Sequence, residues 1–219
     1  MQFNIEKVLV SLSRDRPVFH SEKDFQFALA WKIHEMYPRA QVRLEKSVVM
    51  DGEGDLHHVD IFILMGGKRY AVEVKYTTRK LSCTINGERY CLKNHAAQDI
   101  RRYDFLKDVE VLEKIIKNKI ADIGFAIFLT NDPGYWNKPR KEHTVDKMFR
   151  LHDERIIKGK LQWINASKGT MRNREKPIQL NYTYHVKWKL YSYIHEKVCK
   201  EATFKYLILQ VPPLSRESN

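Results

Sequence analysis

Two carboxylates and a lysine are spaced in this sequence so that they could act together: Asp60, Glu73 and Lys75. They fall in the stretch from His57 to Tyr76, where two apolar runs, VDIFILM and RYAVEVKY, flank Gly66-Gly67. β-Branched and aromatic residues on either side of a Gly-Gly pair predict a tight β-hairpin. With the glycines at the turn centre, Met65 faces Lys68. Counting back sets Asp60 opposite Glu73, with Cβ atoms about 4.5–5.5 Å apart on one face. Lys75, two residues further on, returns to that face. Opposed acids in apolar surroundings repel, and a hard divalent ion with oxygen ligands removes the conflict. Such an ion polarises a phosphoryl oxygen and activates a water, with Lys75 stabilising charge or positioning the nucleophile.

The pattern Asp60, twelve residues, then Glu73-Val74-Lys75 resembles the signature of the PD-(D/E)XK nuclease superfamily, with Val59 where the name-giving proline would stand. Glu73-Val74-Lys75 is the only acid-x-Lys triplet in the chain. The resemblance implies an α/β fold: a restriction-endonuclease-like αβββαβ core with a mixed central sheet, covering roughly residues 21–131. It implies Mg2+ or Mn2+ held by Asp60, Glu73 and the Val74 carbonyl. The first core helix would add an acid, Glu22, with Gln26 next in line. The reaction implied is hydrolysis of phosphodiester bonds, in DNA before RNA. Some branches place Gln and, four residues later, Tyr on the helix after the acid-x-Lys strand. Here Arg102 is the fourth residue after Gln98 and Tyr103 comes one place late, so Gln98 alone carries over, as a residue orienting water or substrate. Three other readings stand beside this one. The fold could serve a non-catalytic nucleic-acid-binding module, the hairpin charges could be an ordinary solvated face, or the positive surface could recruit an acidic protein.

The elements that must position these residues follow from periodicity. Ser21 is an N-cap for a helix from Glu22 to Tyr37, stopped by Pro38, with Phe25, Leu29, Ile33 and Met36 inward. Glu22 falls on that apolar stripe; its plainer role is to complement the positive helix N-terminus. Val42 to Met50 reads as a strand, and Asp51 to Asp55 as a solvated turn. Thr77 to Arg89 is an irregular excursion, with Asn86-Gly87 marking a small hairpin of its own. In the hairpin register His58 faces Lys75. Adjacent histidines point to opposite faces of a strand, so His57 and His58 cannot both reach one ion and read as surface or supporting residues. A long helix is expected from Asn94 to Lys117. On it, Arg101 and Arg102 are candidates for phosphate contacts or are solvated helix charges. Ile123 to Thr130 reads as a strand buried on both faces, closed by the turn Asn131-Asp132-Pro133-Gly134.

From residue 132 to 219 a basic, aromatic-rich β elaboration extends the same single domain. Glu142 to His152 is expected as a short helix, Leu161 to Ile164 as a strand, and Lys168 to Lys176 as an exposed basic loop. Lys168, Arg172 and Arg174 of that loop are candidate nucleic-acid contacts. Ile178 to Leu190 alternates apolar and polar as one half-buried strand, which makes Tyr182, Tyr184 and Trp188 core aromatics rather than stacking platforms. Phe204 to Val211 is a further strand. The chain of 219 residues has a net charge of +12, and between Asn137 and Lys200 alone 16 Lys and Arg stand against 6 Asp and Glu, a net of +10. Such an excess favours a polyanionic partner, nucleic acid before membrane. Three cysteines, Cys83, Cys91 and Cys199, give no CxxC pair and argue against a disulfide framework or structural zinc. The expected setting is a reducing cytoplasm, with no signal peptide or membrane span. A homodimer is compatible with double-strand cleavage, without an assembly motif to specify it.

Overall fold

The structure, a computed structural model, describes residues 3–50, 56–195 and 202–213. The expected turn at 51–55, and Cys199, lie outside the described residues. The fold is mixed α/β: a six-stranded mixed sheet with four helices and two small two-stranded sheets. Among the described residues no helix is long and apolar enough to cross a membrane.

The first helix, α1 (Ile5–Asp15), precedes the elements expected from the sequence. Its Ile5, Val8, Leu9 and Leu12 recur at helical spacing and are buried, and the Asn4 side chain caps the Lys7 N–H. Helix α2 (Glu22–Met36) begins where expected, the Ser21 hydroxyl accepting from the Asp24 N–H at 3.1 Å. Strands β1 (Gln41–Val49), β2 (Leu56–Met65) and β3 (Lys68–Thr77) form an antiparallel meander. Gly66 and Gly67 have φ of 59° and 74°, the left-handed pair a two-residue hairpin turn needs, and Met65 faces Lys68 as the spacing predicts. The small hairpin β4 (Leu81–Ile85) and β5 (Glu88–Leu92) turns at Asn86-Gly87. Helix α3 (Gln98–Lys117) starts four residues later than expected. His95 is pinned to Thr78, its backbone N–H donating to the Thr78 carbonyl and its Nδ1 accepting the Thr78 N–H, so the preceding residues cannot coil. Strand β6 (Ile123–Thr130) then runs parallel to β3.

The C-terminal part differs more from the sequence reading. The expected helix at Glu142–His152 is a single 3-10 turn, Lys147–Phe149. The expected strand at Leu161–Ile164 ends at Leu161: β7 spans Ile156–Leu161. The basic segment 168–176 opens as the four-residue helix α4 (Lys168–Met171). The single strand expected over Ile178–Leu190 is two. β8 (Ile178–His185) pairs with β7, and β9 (Lys189–Ile194) crosses into the central sheet beside β10 (Ala202–Val211). The break comes where Val186 exchanges backbone bonds with Glu154 and Arg155, and Trp188 bonds Asp153 and Leu151 instead of a strand neighbour. The strand order β1-β2-β3-β6-β10-β9 therefore draws residues 189–211 into the sheet.

One face of the sheet packs on α1 and α2, the other on α3 and the β7-β8 pair. Glu110 and Glu113 of α3 take the N–H groups of Gln179, Asn181 and Tyr182 on β8, so α3 is held between two sheets. Tyr184 and Trp188 are core residues, as the alternation implied. Leu9 is fully buried under the sheet, so Leu9→Ala is expected to lower the urea-unfolding free energy by about 2–5 kcal/mol. A loss below about 1 kcal/mol in that measurement would show that α1 is not part of the core.

Candidate functional site

The site is built at a fork in the sheet. The β2–β3 ladder runs from Met65↔Lys68 to Ile61↔Val72 and stops there. On the other side of β2, the β1–β2 ladder skips Glu45 opposite Asp60 and resumes at Lys46↔Val59. Glu45 has φ of 50°, and the Asp60 carbonyl is taken by Gln26 Nε2 of α2 at 2.8 Å. Both strands kink at this point and their alternation reverses. Val42, Ile61 and Ile63 face the α1/α2 core, whereas Val48 and Val59 face the α3 core.

Parting strands strand backbone donors, and buried donors need acceptors. The Val74 N–H is taken by Asp60 Oδ2 at 2.8 Å and the Tyr76 N–H by Glu22 Oε2 at 2.8 Å. In a strand the N–H and C=O of one residue point to the same edge, so the Val74 carbonyl is directed into the fork. The Asp60 and Glu73 carboxyls lie close enough to perturb one another electrostatically. Lys75 Nζ, on the face Glu73 occupies, lies 3.0 Å from Asp108 Oδ2 on α3. Asp60, Glu73, Val74, Lys75 and Glu22 are thus brought together.

The electrostatics follow from crowding acids into a partly dry place. Burial raises Glu73 well above the carboxylate range, Asp108 and Asp60 push it further, and Lys75 offsets only part of this. Desolvation also raises Asp60 and Glu22, the latter an exposed residue at the start of α2, against the lowering effect of the backbone N–H each one accepts. Burial pushes Asp108 up to about 7 even with Lys75 against it. For Lys75 burial works downward, but Asp108 and Glu22 outweigh it and the ammonium is held charged. Among the described residues no three His, Cys, Asp or Glu side chains are gathered tightly enough to hold an ion by themselves. The fork offers two facing carboxylates and one carbonyl, all oxygen donors. That set suits a hard cation that keeps several waters, and a cation would favour the charged forms that burial disfavours at both acids.

Two residues at the site were missed. Asp108 sits beside the apolar stripe of α3, where sequence gives no reason to single out one acid. His57, rather than His58, reaches the site, its Nε2 2.9 Å from Glu73 Oε1. His58 is exposed and meets Ser47. The hairpin register pointed to His58, but the reversal at Asp60 turns the odd-numbered residues of this half of β2 toward α3. Burial lowers His57 and raises Glu73, disfavouring the charged form of each partner.

Several expected contacts are otherwise engaged. Gln98 donates to Asp132 and accepts from Arg102, at the start of α3, about 15 Å along the helix from Asp108, and does not reach the acids. Arg102 is 2% exposed, with Nη1 2.7 Å from Asp146 and Nη2 2.7 Å from the Gly134 carbonyl, which removes it from any phosphate. Arg174 forms a two-bond pair with Asp104 at 2.6 and 2.9 Å and braces the 168–176 segment on α3. Lys168 and Arg172 are exposed. Arg101 lines a cavity of 330 Å3 with Glu22, Lys93 and His95, next to the fork. No known protein-family model matches the chain, and no curated protein matches it.

Because Arg102 neutralises a buried Asp146, Arg102→Ala is expected to destabilise the protein by about 3–5 kcal/mol in denaturant unfolding. A variant as stable as the parent would show that this pair is not structural.

Proposed function

We propose that the chain is a Mg2+- or Mn2+-dependent nuclease with a restriction-endonuclease-like core, hydrolysing phosphodiester bonds of DNA. The observation that carries this reading is the meeting of the Asp60 and Glu73 carboxyls at the sheet fork, both raised by burial, with the charged Lys75 beside them. The run α2-β1-β2-β3-α3-β6 follows the αβββαβ order of the resembling fold, with β4-β5 inserted before α3. The net charge of +12 suits a polyanionic substrate.

Asp60, Glu73 and the Val74 carbonyl would hold the ion, with Glu22 close by. When bound, it supplies Lewis-acid polarisation of a phosphoryl oxygen and an activated water. Lys75 stabilises the negative charge developing on the phosphate or orients the attacking water. Asp108 acts through Lys75, fixing its position and charge. Arg101 is placed to hold a neighbouring phosphate. The second reading, a non-catalytic nucleic-acid-binding module, is favoured by one feature: Lys75 is occupied by Asp108 and Glu73 by His57.

Purified protein is expected to nick or linearise plasmid with Mg2+ or Mn2+, and Asp60→Ala and Lys75→Ala are each expected to lose at least about 100-fold in rate. Cutting that persists in both variants defeats the nuclease reading. Absence of Mn2+ uptake by calorimetry, together with tight salt-sensitive DNA binding, supports the module instead.

A further inference from the structure

Helix α2 carries two large aromatic side chains on the side turned away from the sheet. Phe27 is 57% and Trp31 63% exposed, and their rings lie nearly parallel, with centroids 6.3 Å apart and an interplanar angle of 24°. The core does not use them, since Phe25, Leu29 and Ile33 fill the buried side of the helix. Open aromatic faces of this kind mark a contact with something else.

The surroundings of the pair select its occupant. Three and four residues away on the helix, the neighbours that reach solvent are Lys23, Asp24, His34 and Glu35, all polar. Two rings exposing together roughly 250 Å2 within that frame fall well short of the about 800 Å2 that each partner gives to a stable protein interface. Nor can α2 lie in a membrane surface, because its continuous apolar side is already in the core. The rings do match one or two planar bases, whose stacking on aromatic side chains needs no larger area. The charges agree with a phosphate chain passing close by. Asp24 is paired with Arg16 at 2.9 Å and Glu35 with Lys32 at 2.5 Å, so the acids beside the rings are neutralised.

The same helix reaches the fork. Glu22 accepts the Tyr76 N–H there, and Gln26 donates to the Asp60 carbonyl. Phe27 lies about 7.5 Å along the helix axis from Glu22, and Trp31 about 6 Å further. A nucleic-acid strand with one phosphate at the acids thus has an aromatic surface a few nucleotides away. We infer that Phe27 and Trp31 form a stacking platform for unpaired bases, and that the nucleic acid brought to the fork is single-stranded or carries a single-stranded tail. Within a duplex each base face is covered by its neighbours in the stack, so only an unpaired or splayed base can lie on the rings. The inference rests on the nuclease reading for what happens at the fork, while the platform itself acts in binding and needs no metal.

Fluorescence anisotropy of the full chain in EDTA, with a labelled oligothymidylate of about 20 nucleotides and with a blunt duplex of the same length, tests it. The single strand is expected to bind at least about tenfold more tightly than the duplex. Phe27→Ala and Trp31→Ala are each expected to weaken single-strand binding about fivefold or more and to leave duplex binding unchanged. Trp31→Tyr, which keeps a ring, is expected to retain most of the affinity. Equal affinity for the two DNA forms, or single-strand binding unaltered in both alanine variants, overturns the platform. A dimer in sedimentation equilibrium that dissociates in Trp31→Ala also overturns it, assigning the rings to a second copy of the chain. Plasmid cutting separates the two readings. Metal-dependent cutting with unaltered single-strand binding in the alanine variants defeats the platform alone, whereas ring-dependent binding without cutting keeps the platform and defeats the nuclease. Thermal melts of each variant separate loss of the rings from loss of the fold.

Discussion

Two backbone N–H groups on β3, those of Val74 and Tyr76, stand where their neighbouring strand has turned away, and the acceptors they find are carboxylates. An unsatisfied buried N–H costs about 1–3 kcal/mol, and Asp60 and Glu22 remove that cost at the fork. The same two bonds fix where those acids point. The cap that completes the sheet therefore also collects the acids, and the kink at Glu45 and Asp60 that opens the fork swings His57 inward toward Glu73.

Gathering acids has an energetic cost that the surroundings only partly offset. Glu22, Asp60, Glu73 and Asp108 are all raised by burial, and a single lysine lies among them. Proteins commonly tolerate such local conflict where groups must act rather than merely pack. The scaffold around it is correspondingly well satisfied. Glu110 and Glu113 cap β8, Arg102 neutralises Asp146, and Arg174 ties the basic segment to α3. Arg102 and Arg174, which look available in the sequence, are engaged in these internal bonds. Exposed cations remain along the chain, Lys168 and Arg172 among them.

Local signals were reliable where one interaction settles the conformation. The Ser21 cap bounded α2, Gly66-Gly67 set a tight turn and its register, Asn86-Gly87 marked a hairpin, and the apolar run Ile123–Thr130 was a fully buried strand. The approach of Asp60 to Glu73 and Lys75 was legible only in part: the turn and the period of two fix the ladder as far as Ile61↔Val72, and the reversal at Asp60 lies one pair beyond it. α1 carries the same kind of local signal, Ile5, Val8, Leu9 and Leu12 recurring at helical spacing.

What the sequence by itself determined, then, is the hairpin and its register as far as Ile61↔Val72, because these depend on residues a few positions apart. Tertiary structure decided the rest: that β2 reverses its faces at Asp60, that Asp108 meets Lys75, that Arg102 is buried, and that the alternating run 178–190 divides between two sheets. Each of these turns on a partner far along the chain, such as Gln26 for the Asp60 carbonyl or Asp153 for the Trp188 N–H. A strand's own pattern states which faces are apolar. It does not state which neighbour will be there to cover them.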